Sequence, residues 1–384
     1  MIANYEEDFP LMGNEESQID FLVKLLDISA PRHKVALKKM AGGITNAVFR
    51  LDTPSKKYVV RVFGNNTEQI IDRELEQEHI KKINFIEIYA NFNNGAIVSY
   101  VEGRPIDVPM MGDRFISQKI AEIVGKFHSV TMYDNSEDSE KFEKKKIDKK
   151  KFEKKKYDEK SKEMSNYEEY CNNDISKPDF DNCHENEVFA NIEKFINGLN
   201  PEYSKNGKTI NIDHLREKLA SLKAALSEEM KDSKIVLCHN DLLAANILWD
   251  GESCNLCDYE YSCYTWPEYD LANHFFEYCG FECDMSRYPS FEQQEFFLRN
   301  YLAAVNGCTP ADVSEKTISK WIMKIGLLVK LSCFFWGCWA YFQASNSTVV
   351  FPYFEYAETR MMLMEYDLPL PEGHHLTEEQ LVNL

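Results

Sequence analysis

Two carboxylates and one carboxamide at fixed spacing constrain this chain more than any other feature of its sequence. Asn246 follows Asp241 by five positions, and Asp258 follows Asp241 by seventeen. Apolar residues beside all three predict short strands joined by tight turns, which would hold the polar groups together. One carboxylate can then deprotonate a hydroxyl, while the amide oxygen and the other carboxylate hold Mg²⁺ against the phosphates of ATP. A chance Asp and Asn in a polar loop is the alternative.

Composition limits the class of protein. The 384 residues suit two domains or one large bilobal domain. The net charge of −19 argues against a general nucleic-acid binder, which needs basic surface to displace counterions. The eleven cysteines are scattered, and Cys254 and Cys257 form the only CxxC pair. Neither a disulfide framework nor a four-cysteine zinc site is therefore expected, and a reducing, cytoplasmic location is favoured.

Two segments bear on membrane association. Residues 1–10 are acidic and lack the apolar core of a signal peptide. Residues 325–342 are apolar and close to spanning length, but they contain Lys330 and are crowded with Cys, Gly and aromatic residues. A buried helix is expected there, and the protein is not expected to be an integral membrane protein.

Residues 34–101 predict a small lobe built from a sheet and one helix. Strand-like composition and an Asn93-Asn94-Gly95 turn predict five strands, at 34–40, 47–51, 58–63, 86–92 and 96–101. A helix is predicted over 68–83, between the third and fourth strands. Residues 1–33 are then an acidic and partly helical extension of this lobe.

Residues 102–384 predict a larger, mainly helical lobe that begins after a hinge at 102–105. Apolar residues at helical spacing occur in 114–130, 212–231 and the segments from 291 to 341. A Lys-rich, low-complexity insertion at about 134–186 has too few apolar residues to offset the entropy of ordering it. We expect it to be a solvated insertion, and binding to a membrane surface or another anionic partner is the alternative. The predicted fold class is α+β and bilobal.

A glycine-containing loop and a basic strand residue suggest a phosphate site in the small lobe. Gly42, Gly43, Ile44, Thr45 and Asn46 lie between the first two strands, where free N–H groups and short side chains can meet anionic oxygens. Two glycines alone are typical of an ordinary hairpin.

The basic residue is Arg61, in the apolar third strand, where a charge needs a partner. Among Glu74, Glu76 and Glu78 of the following helix we choose Glu76, because such a pair fixes a phosphate-binding cation. A purely structural ion pair is the alternative. By their position in the lobe, Ser99, Tyr100 and Val101 would form the edge against which adenine stacks.

Three further residues are predicted to support the loop around Asp241. Asp270 is expected to cap the start of a helix and to brace that loop through backbone hydrogen bonds. His239 and His274 are expected to be scaffold, because Asp241 already supplies a base.

Aromatic residues near the end of the chain suggest a site for a cation. Trp336 and Trp339 share a helix face, and Phe351, Tyr353 and Tyr356 follow shortly afterwards. Electron-rich rings with a carboxylate nearby, such as Glu277, form an effective receptor for a quaternary ammonium. Ordinary core packing is the alternative for each ring.

With these residues in view, the sequence resembles the choline/ethanolamine kinase family, within the wider protein-kinase-like and aminoglycoside-phosphotransferase group. The resemblance runs from about residue 34 to 366, apart from the insertion. The segments that carry it are Gly42–Asn46, Arg61–Gly64, His239–Asn246, Asp258–Ser262, Asn273–Phe275 and Phe335–Trp339.

The resemblance implies transfer of the γ-phosphate of ATP to the hydroxyl of choline or ethanolamine, in CDP-linked phospholipid synthesis. Asp241 would be the base, Asn246 and Asp258 would hold Mg²⁺, and Glu260 would support the metal site. Arg61 and the Gly42–Asn46 loop would bind ATP. The implied amine contacts are Tyr261, Glu277, Trp336, Trp339, Phe351 and Tyr356. The family also suggests a homodimer.

The choice between the two amines stays open from the sequence. Choline kinases often have Gln two residues after the catalytic Asp, whereas this chain has Leu243. That departure, with the run from Arg61 to Glu68, looks closer to ethanolamine kinases. Alternative functions are phosphorylation of another hydroxylated cation, such as an aminoglycoside, and a non-catalytic scaffold. The first would need a more acidic and less aromatic site, and the second would be expected to lack Asp241, Asn246 or Asp258.

Overall fold

Six strands form the sheet of the first lobe in the computed structural model, which describes residues 3–40, 46–64, 67–132, 185–347 and 349–366. They are β1 (Ala3–Tyr5), β2 (Ala36–Lys39), β3 (Asn46–Asp52), β4 (Lys57–Phe63), β5 (Ile88–Phe92) and β6 (Gly95–Ser99). Their order across the sheet is β1-β5-β6-β4-β3-β2. The five predicted strands are all present, and every pair among them is antiparallel.

The sixth strand, β1, was not predicted. It pairs in parallel with β5, Ala3 opposite Ala90, and three residues are too few for a period-2 pattern to be read from sequence. Helix α1 (Glu15–Leu25) follows, with Asn14 accepting a hydrogen bond from the Ser17 N–H as its N-cap. Its buried Ile19, Leu22 and Leu25 join one apolar cluster with residues of the sheet.

Helix α2 (Arg73–Ile83) lies between β4 and β5 in the chain, as predicted, but it begins five residues later than expected. Residues 67–69 form a 3₁₀ turn instead. Asp72 then caps the helix by accepting hydrogen bonds from the Glu74 and Leu75 N–H groups. This cap fixes where α2 begins, and therefore the position of Glu76 relative to Arg61 on strand β4.

The second lobe is mainly helical, as predicted. Its helices are α3 (Val108–Met111), α4 (Arg114–Met132), α5 (Val188–Asn197), α6 (Ile212–Glu229), α7 (Pro267–Glu277), α8 (Phe291–Asn306), α9 (Glu315–Asn346) and α10 (Tyr353–Leu363). Its short strands are β7 (Arg104–Pro105), β8 (Ser204–Lys205), β9 (Lys208–Thr209), β10 (Val236–Cys238), β11 (Ile247–Trp249), β12 (Cys254–Leu256) and β13 (Cys263–Thr265). The α+β, bilobal prediction is confirmed.

Helix α9 is the centre of this lobe. It is long and apolar enough to span a membrane by composition, but 83% of its most apolar window is buried within the protein. It packs against α7, α10 and α5. The sequence prediction of a buried helix is therefore confirmed.

Two predicted segments need separate mention. Arg104 and Pro105, predicted as part of a hinge, pair with Trp249 and Leu248 of β11. Gly103, which directly precedes them, adopts a φ of +129°. The residues of the Lys-rich insertion, apart from 185 and 186, and those of the loop at 41–45 lie outside the described residues.

Candidate active site

The loop between β10 and β11 brings Asp241 and Asn246 together. The Asn246 side-chain NH₂ donates to the Asp241 carbonyl oxygen at 2.9 Å and to its Oδ2 at 2.7 Å. A 3₁₀ turn over Ala244–Asn246 makes this approach possible before the chain enters β11. With both amide hydrogens turned toward Asp241, the Asn246 Oδ1 is left as an acceptor for another group.

The carboxylate of Asp270 holds the backbone of this loop through hydrogen bonds, as predicted. Its buried carboxylate accepts hydrogen bonds from the backbone N–H groups of His239 and Asn240, both at 2.8 Å, and from His128 Nε2 at 2.9 Å. Burial alone would raise the pKa of Asp270, but these donors hold it below its usual value. The predicted N-cap role is wrong, because Trp266 occupies the cap and Asp270 lies in the first turn of α7.

The loop also contains a strained backbone position. Asn240 has a φ of +66°, in the left-handed region that Asn tolerates better than most residues. Its side-chain NH₂ donates to the Tyr261 carbonyl oxygen at 2.9 Å. Asp258 adopts the same conformation, with a φ of +65°. Both residues adjoin or belong to the predicted catalytic set, where such strain is common.

His239 and His274 hold backbone groups of the loop, as predicted for scaffold residues. His239 Nε2 donates to the Cys257 carbonyl oxygen at 3.0 Å, and its Nδ1 accepts from the Asp241 N–H at 3.3 Å. His274 Nδ1 donates to the Leu242 carbonyl oxygen at 3.0 Å. Burial lowers the pKa of both rings, that of His274 to about 4, so both are neutral near pH 7.

A buried ionic network joins the two lobes beside this loop. Arg61 on β4 forms an ion pair with Glu76 on α2, the partner chosen from the sequence. The same guanidinium donates to Asp258 Oδ1 at 2.9 Å and lies 3.4 Å from Glu260 Oε2. Although burial would lower the pKa of Arg61, the three carboxylates raise it. Arg61 therefore stays charged and fixes the first lobe to the segment that carries Asp258.

Arg73, in the first turn of α2, is a second cation in this network and was missed in the sequence. Its Nη1 donates to Glu76 Oε2 at 2.9 Å and to Glu260 Oε2 at 3.1 Å, and its Nη2 donates to Asn46 Oδ1 at 3.1 Å. Asn46 in turn donates to Glu260 Oε2 at 2.8 Å. The i,i+3 spacing of Arg73 and Glu76 was the only available sequence signal.

These contacts place one end of the glycine-containing loop at the site. Asn46 is buried at the start of β3, beside Glu260. The other four predicted residues of the loop, Gly42, Gly43, Ile44 and Thr45, lie outside the described residues. Asn46, the last of the five predicted residues, is therefore the one that the structure places beside Glu260.

Negative charge accumulates around Asp241, the predicted base. Burial raises the pKa of Asp241 well above its usual value, and the charges of Asp258, Glu277 and Glu260 add to the effect. Burial and the neighbouring Glu260 likewise raise the pKa of Asp258 to about 7, despite the opposing charge of Arg61. Carboxylates under mutual repulsion are stabilised by a cation, so this donor set suits a divalent metal.

The three residues predicted to lie against adenine, Ser99, Tyr100 and Val101, lie at and just after the end of β6. Ser99 is the last residue of β6, and its N–H donates to the Glu87 carbonyl oxygen at 2.8 Å. Tyr100 is partly buried, and the cationic groups of Arg50 and Lys57 lie 5.6 and 5.1 Å from the centre of its ring. The segment connects the last strand of the sheet to the second lobe.

The predicted aromatic residues form one continuous series in the second lobe, with Tyr353 included. Neighbouring ring centres are 4.8 to 5.8 Å apart, in the order Tyr261, Trp336, Trp339, Tyr353, Phe351 and Tyr356. The Trp339 Nε1–H donates to the Tyr261 hydroxyl at 2.8 Å. Tyr261 leads from this series to the active site, since it is the next residue after Glu260.

Glu277 ends helix α7 close enough to Asp241 for its charge to raise the pKa of that carboxyl group. Its Oε1 accepts a hydrogen bond at 3.0 Å from Arg360 on α10, which was also missed in the sequence. Arg360 lies one helical turn after Tyr356, and its Nε donates to the Tyr356 hydroxyl at 2.8 Å. The aromatic series and the predicted amine carboxylate are therefore joined through one buried arginine.

Comparison with known proteins identifies the family. The sequence model described as choline/ethanolamine kinase matches residues 37–365. The chain belongs to the choline/ethanolamine kinase family. It is a kinase, and kinases of this family use ATP.

Individual relatives agree with the family. The Dictyostelium discoideum protein named "Probable ethanolamine kinase B" is 29% identical over 420 residues, with 94% of this chain and 93% of that protein covered. A solved ethanolamine kinase from Plasmodium vivax has a TM-score of 0.69 at 25% identity, over 95% of this chain and 91% of that chain. A solved choline kinase from Cryptosporidium parvum has a TM-score of 0.63 at 20% identity, over 90% of this chain and 93% of that one, and shows the shared fold.

Proposed function

We propose that this kinase transfers the γ-phosphate of ATP to the hydroxyl of a small amino alcohol, with Asp241 as the base. The observation that carries the proposal is the Asn246–Asp241 hydrogen bond, with the carboxylates of Asp258 and Glu277 close enough for their charges to raise the pKa of Asp241. Ethanolamine is the proposed preferred amine, because relatives that align over most of this chain are named ethanolamine kinases. Choline is the second candidate.

Asp241 is suited to accept the proton of the substrate hydroxyl. Its raised pKa makes it a stronger base than an ordinary aspartate once it is ionised. The Asn246 NH₂ group fixes the direction of its carboxylate through the bond to Oδ2. Proton transfer then needs only that the hydroxyl lie within hydrogen-bond reach of the other carboxylate oxygen.

The donor set fits Mg²⁺. Asn246 Oδ1 and the Asp258 carboxylate would hold the ion, and Glu260 would support it, since hard oxygen ligands are those that Mg²⁺ prefers. Burial, and after it the charges of neighbouring carboxylates, raise the pKa values of Asp241 and Asp258, and a cation would stabilise their charged forms. When bound, Mg²⁺ supplies charge that offsets the phosphate oxygens during transfer. Asp258 is held in place for this role by Arg61.

Arg61 and the Gly42–Asn46 loop are proposed to bind the phosphates of ATP, with Ser99, Tyr100 and Val101 against the adenine. Arg61 is suited to this because Glu76 holds one side of its guanidinium while its Nη2 faces Asp258. A cation already fixed by an ion pair loses little conformational freedom on binding a phosphate.

The ammonium group is proposed to bind between Glu277 and the aromatic rings, the substrate residues being Tyr261, Trp336, Trp339, Phe351 and Tyr356. A carboxylate attracts any cation, and ring faces add cation–π attraction. The hydroxyl of a two-carbon amino alcohol would then point toward Asp241. A neutral alcohol of the same size would gain neither contribution.

A coupled ADP-release assay tests the proposal, with ethanolamine, choline and a neutral alcohol as acceptors and Mg²⁺ present or chelated. Ethanolamine is expected to give the highest kcat/KM, the neutral alcohol little ADP release, and chelation no turnover. Absence of amine-dependent ADP release from a folded, ATP-binding preparation would overturn the proposal. Higher kcat/KM with choline would reverse only the preferred amine.

Location and assembly remain proposals as well. A reducing, cytoplasmic location is supported by cysteines such as Cys238, Cys254 and Cys257, which form no disulfide in the described part of the chain. A homodimer would follow from the family resemblance, and light scattering on the purified protein would measure it.

A further inference from the structure

Arg360 is a buried cation in a site that is proposed to bind a cation. Its side chain is 1% exposed, and its guanidinium carbon lies 3.7 Å above the centre of the Phe276 ring. It donates to Glu277 Oε1 at 3.0 Å and to the Tyr356 hydroxyl at 2.8 Å. Burying a charge in this way is unfavourable unless its partners are fixed, so the position of Arg360 is well determined.

The ion pair with Arg360 leaves the two carboxylate oxygens of Glu277 in different environments. Arg360 uses Oε1, whereas Oε2 accepts no hydrogen bond within the described part of the chain. The Glu277 side chain is 14% exposed, so this oxygen remains accessible from the site. With Oε1 engaged by a cation, Glu277 offers the substrate a directed acceptor at Oε2.

A directed acceptor discriminates between types of ammonium group. A primary ammonium has three N–H donors and can form a charge-assisted hydrogen bond with Oε2. A quaternary ammonium has no donor and gains only from charge and from ring faces. The guanidinium carbon of Arg360 also lies 5.2 Å from the centre of the Tyr356 ring, which limits the aromatic surface available to methyl groups.

We propose that Arg360 is a specificity-determining positioning residue, which orients and partly neutralises Glu277 so that primary ammonium substrates are preferred over quaternary ones. Arg360 acts through Glu277 and does not itself contact the reacting atoms. This inference rests on the proposed function, because it assumes that Glu277 receives the ammonium group.

The test compares kcat/KM for ethanolamine and for choline in the same preparation of Arg360→Met. Their ratio does not depend on the fraction of active enzyme, so partial unfolding does not affect it. We expect the ethanolamine-to-choline ratio to fall by about tenfold or more, the equivalent of about 1.4 kcal/mol. The change should lie mainly in KM for ethanolamine, with KM for ATP unchanged.

Two further variants separate this effect from a general loss of stability. Arg299→Met removes a partly buried arginine of helix α8, which donates to Glu295 and to the Val313 carbonyl oxygen and not to the predicted amine residues. It is expected to lower stability and leave the ratio unchanged. Tyr356→Phe keeps the ring but removes the acceptor of Arg360 Nε, and it should lower the ratio by a smaller factor. If Arg360→Met does not fold, Tyr356→Phe decides.

The outcomes distinguish the two proposals. An unchanged ratio in Arg360→Met, or in Tyr356→Phe where only that variant folds, would overturn the role of Arg360 and leave the proposed function intact. Equal falls in the ratio for Arg360→Met and Arg299→Met would also overturn it. A wild-type enzyme that phosphorylates neither amine would instead refute the proposed function.

Discussion

Replacing Asp270 by Asn should damage both the stability and the turnover of the enzyme. The Asp270 carboxylate receives three hydrogen bonds, from the His239 and Asn240 N–H groups and from His128 Nε2. An Asn side chain can keep its oxygen toward His239 and His128, but its NH₂ group then faces the Asn240 N–H. One buried donor loses its partner, and two bonds lose their charge assistance.

The magnitude follows from these three contacts. The unsatisfied donor costs about 2 kcal/mol, and each bond that loses its charge costs about 1 kcal/mol, which gives roughly 4 kcal/mol. That is a large fraction of the total free energy of unfolding of a folded protein, which is ~5–15 kcal/mol. Because Asn240 directly precedes Asp241 and has a φ of +66°, the released loop should also move the base. We expect kcat to fall about 100-fold, as for misplacement by about 1 Å.

Urea unfolding would measure the stability change, and ADP release at saturating substrates would measure kcat. Asp250→Asn is the matched control, because Asp250 also accepts two backbone N–H bonds, from Glu252 and Ser253, but in an exposed turn. Water can replace those bonds, so stability and kcat should stay nearly unchanged. A loss of less than about 1 kcal/mol in Asp270→Asn, with normal kcat, would refute the reasoning.

Three other perturbations give separate tests. Asp241→Asn should lower kcat by about 10³-fold, the effect of losing a general base. ATP affinity, measured by calorimetry, should change little. Normal turnover would show that Asp241 is not the base. Trp339→Ala should raise KM for the amine by about 30-fold, because a desolvated cation–π contact contributes ~2 kcal/mol. An unchanged KM would mean that the Trp339 ring only packs against its neighbours. His274 has a folded pKa of about 4, so the unfolded chain binds more protons below pH 6.5. Stability should therefore fall by about 2 kcal/mol between pH 6.5 and 5 on account of this ring. Urea unfolding of His274→Gln should show a shallower pH dependence, and an identical one would exclude the contribution.

The catalytic loop could be predicted because its signal is local. Asp241 and Asn246 are five residues apart, and their contact is formed by one turn of chain between two short strands. Helices such as α4 and α6 could be predicted for the same reason, since the periodicity of one face is contained within each segment. The boundary errors, such as the late start of α2 at Arg73, arose where a capping residue decided the position.

The parts that were missed depend on residues far apart in the chain. Strand β1 exists only because it pairs with β5, more than eighty positions away. Arg360 meets Glu277 across 83 positions, and Asp270 meets His128 across 142. Their residue types are also ambiguous, because an arginine on a helix is usually a solvated surface residue and an aspartate at a helix start is usually a cap.

The sequence alone determined which chemical groups this protein offers, because the groups proposed to handle a proton, a metal and a phosphate must be of particular types at particular short spacings. The tertiary structure decided which charges face one another: Arg61 and Arg73 against Glu260, Arg360 against Glu277, and Asp270 beneath the catalytic loop. Burial makes these pairings strong, and burial is a property of the packed chain rather than of any segment within it.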